Sequence, residues 1–281
     1  MRELRRFEKG GIYMDKIIGF IGAGNMAKAI IGGIINSKLV LPDKVFVSNP
    51  TYGKLKDLEN IYKVKITNKN IEVAKSSDIL FLSVKPNKYP EVIEEIKDQV
   101  KEDVIVVTIA AGKDIESTQQ EFGKKVKVLR AMPNTPALVG EGMTALMPSK
   151  EITEEEFIEV KYIFESFGKT EVIDESLIHA FTSISGSSPA YVFMFIEALA
   201  DGGVLQGMPR DKAYKFAAQA VLGSAKMVLE TGIHPGELKD MVCSPAGTTI
   251  EAVEALEETG FRHSVMSAVK KCSEKSVRMS K

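Results

Sequence analysis

Gly22-Ala23-Gly24-Asn25-Met26-Ala27 follows the apolar stretch 16–21 and runs into an Ala/Ile-rich stretch, 26–35. That order reads as strand, glycine turn, helix. Gly22 allows the tight turn, Gly24 lets a pyrophosphate approach backbone that has no Cβ, and Ala27 is small enough for the helix to pack on the strand. Unpaired N–H groups at a helix start favour a phosphate. A bare G-x-G-x-x-A also occurs as a structural turn in other α/β proteins, and it is the flanks here that favour a dinucleotide. A second dense element, Ser244-Pro245-Ala246-Gly247-Thr248-Thr249, enters another helix. Its amides and hydroxyls at a positive helix end build an anion site suited to a carboxylate. Plain N-capping needs one Ser or Thr, and two threonines with a glycine exceed that need.

Three further loops carry polar chemistry. Ser48-Asn49-Pro50-Thr51 stands about where NAD-preferring sites place an Asp or Glu for the ribose 2′-hydroxyl. Without a carboxylate a 2′-phosphate is not repelled, so NADPH is favoured; a polar loop that also accepts NADH is the alternative. Ser83-Val84-Lys85-Pro86 ends an apolar run, and Pro86 stops the strand so that Lys85 projects at its end, toward a cofactor or simply into solvent. Arg130-Ala131-Met132-Pro133-Asn134-Thr135-Pro136 is stiffened by two prolines, as an active-site wall or as a rigid connection.

Positioning these loops falls to alternating elements. Apolar stretches at 45–48, 64–67, 79–84, 104–110, 126–130 and 144–147 read as strands, with helical patterns between them, 90–100 among them. This predicts a doubly wound sheet, with ligands beyond the carboxyl ends of its strands. That edge gathers 22–24, 48–49, 84–86 and 110–112. From about residue 174 the strand signal stops. Ser188-Pro189 reads as an N-cap and first helical residue. The stretch 191–196 is apolar on every face, which predicts a helix buried all round. Residues 213–229 are rich in Ala and Gly, and 261–279 form a last amphipathic helix. So apolar a helix in so small a domain points to a partner subunit; a large monomeric core is the alternative.

Bulk properties narrow the class. Of 281 residues, Lys+Arg 37 against Asp+Glu 38 leave a net charge of −1, so no net positive charge attracts nucleic acid or an anionic membrane. No apolar run reaches the roughly 18 residues of a membrane span; the longest candidate, 190–200, is short and contains Glu197. Cys243, Cys272 and the scattered His179, His234 and His263 show no metal or redox spacing, so reduced thiols and no metal are expected. A cytoplasmic protein is the expectation. Residues 1–14 are basic but lack a signal-peptide core; a leader, a start at Met14 or a tail all fit, and no function is given to them.

Taken together, the 20–27 turn, 83–86, 132–136, the run 181–191, 201–204, 244–250 and the Leu256-Glu-x-x-Gly-Phe-Arg262 that follows resemble pyrroline-5-carboxylate reductases, from about residue 16 to about 275. The Ser-Pro-x-Gly-x-Thr-Ile element is specific to that family; the glycine fingerprint is not. The resemblance implies a Rossmann-like α/β domain over 15–174 and an all-α dimerisation and substrate domain over 175–281. It implies NADPH, with NADH as the alternative, and a homodimer of interleaved helices, of the kind that in this family often assembles further into decamers. For cofactor contacts it points to Gly22, Ala23, Gly24, Asn25, Met26, Ser48, Asn49, Asn70, Val84, Lys85, Pro86, Ala110 and Gly112. For substrate it points to Val242, Ser244, Gly247, Thr248 and Thr249, with the Thr249 hydroxyl at the ring nitrogen as the catalytic group. Ser188 and Ala246 stand where the family usually has glycine. A β-hydroxyacid dehydrogenase of similar architecture, using Lys239 as its acid, is one rival; a nucleotide-sensing scaffold without activity is another.

Overall fold

A computed structural model of the chain describes residues 4–6 and 12–280, so the reading of 1–14 as a separate segment falls largely outside them. Strands β1 (Leu4–Arg6) and β2 (Ile12–Met14) pair antiparallel. The chain then alternates through β3 (Ile18–Ile21), α1 (Asn25–Asn36), β4 (Val45–Ser48), α2 (Tyr52–Tyr62), β5 (Lys65–Thr67), α3 (Asn70–Ser76), β6 (Ile79–Leu82), α4 (Tyr89–Ile96), β7 (Ile105–Thr108), α5 (Ile115–Phe122) and β8 (Lys127–Met132). It closes with β9 (Gly142–Pro148), α6 (Glu154–Glu165) and β10 (Gly168–Val172). The sheet is eight-stranded in the order β10-β9-β8-β7-β6-β3-β4-β5. Its pairings are parallel except β8 with β9.

The apolar runs become strands because both faces of the sheet are covered. Every residue of β3, β6 and β7 is buried, as parallel strands between two helical layers must be. Alternate side chains serve two cores. Phe20, Phe81, Val107 and Leu129 pack on one face with α1 and α6, where the Phe20 and Phe81 rings stack at 4.6 Å. Leu80, Leu82, Val106 and Val128 pack on the other with Tyr89 and Ile93 of α4. Consecutive strands run outward from β3 in one direction and from β6 in the other. The order therefore reverses between β3 and β6, which in such sheets opens the crevice for a ligand.

The chain divides into two compact units, a sheet unit, Met1–Gly186 with Glu274–Lys281, and a helical unit, Ser187–Ser273. This differs from the expected division at 174/175. Residues 178 and 181, on α7 (Ile178–Phe181), bury their side chains against Ala145 and Met147 of β9. Arg130 of β8 pairs with Glu175 at 2.7 Å. The start of the helical half is thus held on the sheet.

The helical unit contains α8 (Ser188–Leu205), α9 (Arg210–Thr231), α10 (Pro235–Val242), α11 (Thr248–Glu258) and most of α12 (Phe261–Met279). Ala200, Ala213 and Ala217 are its only buried residues among those described. Small residues let α8 and α9 approach: a Cβ on Gly203 would lie 3.5 Å from that of Ala213. The expectation that α8 is buried all round is corrected for the single chain, since Phe193 and Met194 are 62% and 69% exposed. A helix apolar on all sides needs more cover than one neighbouring helix provides.

Other boundaries shift. β10 and the antiparallel entry of β9 were not legible from apolar runs, because β10, Gly-Lys-Thr-Glu-Val, is largely exposed at the sheet edge. Ser187 rather than Ser188 precedes α8, and its side chain makes no cap. By length and composition the helical stretch Glu175–Leu205, with mean hydropathy 1.2, could cross a membrane. The apolar run 190–200 lies within this longer helical stretch, whose average stays apolar despite the polar residues in it.

Exposed apolar side chains of the helical unit, Phe193, Met194, Phe216 and Leu229 among them, exceed what a soluble monomer leaves in water. Sedimentation equilibrium should give at least twice the 30.8 kDa chain mass; a monomer at micromolar concentration would contradict this reading.

Candidate active site

Adjacent strands in the order β7-β6-β3-β4 bring the loops at 110–112, 84–86, 22–24 and 48–49 side by side at their carboxyl ends. The tightest point is Gly22, with φ +105°. A Cβ there would sit 2.5 Å from the Ser83 carbonyl oxygen. Gly22 is therefore required twice, by its dihedral and by the approach of the β6 loop. Its N–H donates to Ser48 O at 2.8 Å and Ser83 N–H donates to Ile21 O at 2.8 Å, so three strand ends are bonded together.

Gly24 differs, because a Cβ on it would meet nothing within 4 Å. It is the N-cap of α1 and offers no side-chain cap. The first helical bond is Lys28 N–H to Gly24 O at 3.0 Å, which leaves the amides of Asn25, Met26 and Ala27 ahead of it. Open backbone at an uncapped helix start fits the pyrophosphate of a dinucleotide. Two expected contacts are turned elsewhere. The Ala23 N–H donates to Asn49 Oδ1 at 3.2 Å, and Ser48 is wholly buried with its hydroxyl donated to Asn70 Oδ1 at 2.8 Å. Both brace the loop instead of facing outward. Asn49 also donates from Nδ2 to Thr51 O at 3.2 Å.

On the other side of the reversal point, Lys85 is exposed and precedes a 3₁₀ turn, Pro86–Lys88. Beneath it the buried Tyr89 donates its hydroxyl to Leu82 O at 2.7 Å. Burial raises the phenol pKa far above its ordinary value, so the donor persists across the working pH range. Ala110 is half-buried and Gly112 exposed, the latter with φ +78°. The proline-stiffened loop is stapled by Asn134, whose Nδ2 donates to Ser185 O at 3.1 Å and whose Oδ1 accepts from Met143 N–H at 2.9 Å. Ser185 lies in a π-helical turn, Thr182–Gly186. Neither the staple nor Tyr89 was singled out from sequence; the paired prolines around Asn134 were the available signal.

In the helical unit, Ser244, Pro245, Ala246 and Gly247 form a turn closed by Gly247 N–H to Ser244 O at 3.1 Å. With Pro245 second and Ala246 third at φ +53°, it has the pattern of a type II turn. Gly247 is then the N-cap of α11, and no side chain caps it. A Cβ on Gly247 would meet Ser244 Oγ at 2.3 Å. Capping therefore does not account for the hydroxyls of Thr248 and Thr249, which sit on the first turn of an uncapped helix. Val242, at the end of α10, is exposed. The expected substrate residues are thus contiguous here.

The remaining titratable groups are engaged elsewhere. His234 Nδ1 accepts from Gly236 N–H at 3.1 Å, capping α10, and His179 Nδ1 lies 2.9 Å from Ser276 Oγ. Lys239 pairs with the neighbouring Asp240 at 2.5 Å. A cavity of about 850 Å³ opens at the opposite, amino-terminal edge of the sheet. Its charges pair among themselves: Lys101 with Asp78 at 2.6 Å, Lys127 with Glu156 at 2.7 Å and Lys16 with Glu159 at 2.7 Å. No group of His, Cys, Asp and Glu able to hold a metal occurs among the described residues.

Comparison with known proteins agrees with both halves. A family profile described as pyrroline-5-carboxylate reductase dimerisation matches residues 175–279. One described as NADP oxidoreductase, coenzyme F420-dependent, matches 17–112. The pyrroline-5-carboxylate reductase of Escherichia coli (strain K12) is 54% identical over 268 residues, 95% of this chain and 100% of that protein. The solved pyrroline-5-carboxylate reductase of Coxiella burnetii superposes with a TM-score of 0.89 at 32% identity, covering 95% of this chain and 99% of that one. The Plasmodium falciparum pyrroline carboxylate reductase, solved with NADP bound, gives 0.86 at 32% identity over 95% of this chain and 99% of its own.

Two substitutions probe these turns. Gly22→Ala should destabilise the sheet unit by about 2–5 kcal/mol, from backbone strain plus the clash with Ser83 O, and appear as a lowered Tm. Ala246→Gly should release left-handed strain of about 1 kcal/mol and raise the Tm; a lower Tm would contradict the turn assignment.

Proposed function

Since this chain belongs to the pyrroline-5-carboxylate reductase family, we propose that it reduces 1-pyrroline-5-carboxylate to L-proline with NAD(P)H. The observation that carries this reading beyond kinship is the 244–249 turn: an uncapped helix start beside two threonine hydroxyls that no cap consumes.

The cofactor, when bound, supplies the hydride for the C=N bond. Gly24 leaves the pyrophosphate room, and the amides of Asn25 and Met26 donate to it. Val84, Lys85, Pro86, Ala110 and Gly112 wall the reversal point, with Asn49 and Asn70 toward the ribose end. Ser48 and Ala23 support these groups from behind. No carboxylate follows β4, which favours NADPH over NADH. The Ser244, Gly247 and Thr248 groups hold the substrate carboxylate, with Val242 at the edge of the turn. The Thr249 hydroxyl hydrogen-bonds the ring nitrogen. A protonated imine is already electrophilic, and its reduction leaves an amine, not an alkoxide. The step therefore needs orientation more than a strong protein acid, in keeping with histidines engaged elsewhere. Lys239, tied to Asp240, is a poor candidate for the acid of a hydroxyacid dehydrogenase. The apolar faces of α8 and α9 pack in a homodimer, the building block of a decamer. The free Cys243 and Cys272 suit the reducing cytoplasm, and the apolar Glu175–Leu205 stretch serves assembly instead of a membrane.

Thr249→Ala removes one preorganised donor while the amides remain, and kcat should fall roughly 10²-fold. Thr249→Ser keeps the hydroxyl and should keep most activity. Steady-state NADPH oxidation, with a melting curve for each variant, checks this; near wild-type kcat in a stable Thr249→Ala variant would reduce Thr249 to a structural residue.

A further inference from the structure

The loop after β4 is tied to helix α4 by a chain of side-chain hydrogen bonds. Ser48 Oγ donates to Asn70 Oδ1 at 2.8 Å, and Asn70 Nδ2 donates to Glu95 Oε2 at 2.7 Å. Glu95 lies on the exposed side of α4 and has no part in the contacts described so far.

An asparagine amide has two orientations of nearly equal shape and opposite polarity. An ionised carboxylate only accepts, so Glu95 admits the amide nitrogen and rejects the oxygen. The flipped amide would set Oδ1 against Oε2, two acceptors with no proton between them. With Nδ2 held by α4, Oδ1 faces β4 and Ser48 must donate to it. One N–H and one carbonyl lone pair of Asn70 are then left over. Asn70 opens α3 and is half-buried. It sits by the loop after the second strand of the doubly wound sheet, where an adenine ribose is held in this architecture.

We propose that Glu95 is a positioning residue for the cofactor: by accepting from Asn70 Nδ2 it holds that amide in one of its two orientations, so that the polar groups offered to the ribose end are fixed before binding. The inference rests on the cofactor reading above. Preorganisation of this kind acts on binding and leaves the chemical step alone.

The test is fluorescence titration of NADPH onto the full-length enzyme without substrate, with steady-state kinetics alongside. Glu95→Ala should weaken NADPH binding roughly 3- to 10-fold, the range for losing one hydrogen bond to a charged acceptor at a partly exposed site. Glu95→Gln offers a donor as well as an acceptor, so Asn70 can take either orientation, and NADPH binding should weaken at least about 2-fold there too, while kcat at saturating NADPH should change by less than about 2-fold in both. In an Asn70→Ala background, Glu95→Ala should add nothing. Unchanged NADPH affinity in Glu95→Ala would overturn the proposal. So would a Glu95→Gln variant that binds NADPH as tightly as wild type, or an effect of Glu95→Ala undiminished without Asn70. Wild-type enzyme that fails to turn over pyrroline-5-carboxylate would instead defeat the functional reading, and turnover with an indifferent Glu95 defeats only this one.

Discussion

The approach of two backbones at Gly22 and Ser83 is the constraint on which the sheet unit depends. β3 and β6 are neighbours that diverge beyond their carboxyl ends, and the crevice between them exists only if the chain after β3 turns away at once. The φ of +105° at Gly22 makes that turn, and the Ser83 carbonyl fills the space a side chain would need. The same turn places the next residues at the head of α1, where Gly24 stays open and the first amides stay uncapped. A folding constraint and a binding surface are thus separated by two residues. Around them the loop is stiffened by polar side chains that face inward, Asn49 onto Ala23 and Ser48 onto Asn70.

A different constraint shapes the helical unit. With alanines as its buried residues, it lacks the apolar burial that would offset the entropy of ordering its helices. Its large side chains face outward, and they supply that burial only when another subunit covers them. Stability of this half is therefore expected to rise with protomer concentration. The 244–249 turn belongs to this half, so assembly and the proposed anion site share one scaffold.

Much of this was legible in the sequence because it depends on local chemistry. Gly22, Gly24 and Ala27 announce strand, turn and helix, and the continuous apolar runs of β3, β6 and β7 announce burial on both faces. The last helix runs over 261–279 as its amphipathic period required. What escaped depends on partners distant in the chain. β10 is polar because it lies at an edge, and no run of side chains marks the reversal of β9. Ser48 has the composition of a ligand-facing residue, yet Asn70 draws its hydroxyl inward. Ile178, Phe181 and Glu175 belong by pattern to the helices, yet they pack on the sheet. Ala246 was visible only as a departure from glycine, and its φ of +53° gives the departure a physical meaning.

The central claim, that this chain reduces a cyclic imine, is tested most directly by mixing the purified enzyme with NADPH and pyrroline-5-carboxylate as sole acceptor. NADPH oxidation and L-proline formation should rise together, one for one, with a higher kcat/KM for NADPH than for NADH. No oxidation with this imine, alongside oxidation of a β-hydroxyacid by the NADP+ form, would contradict the account.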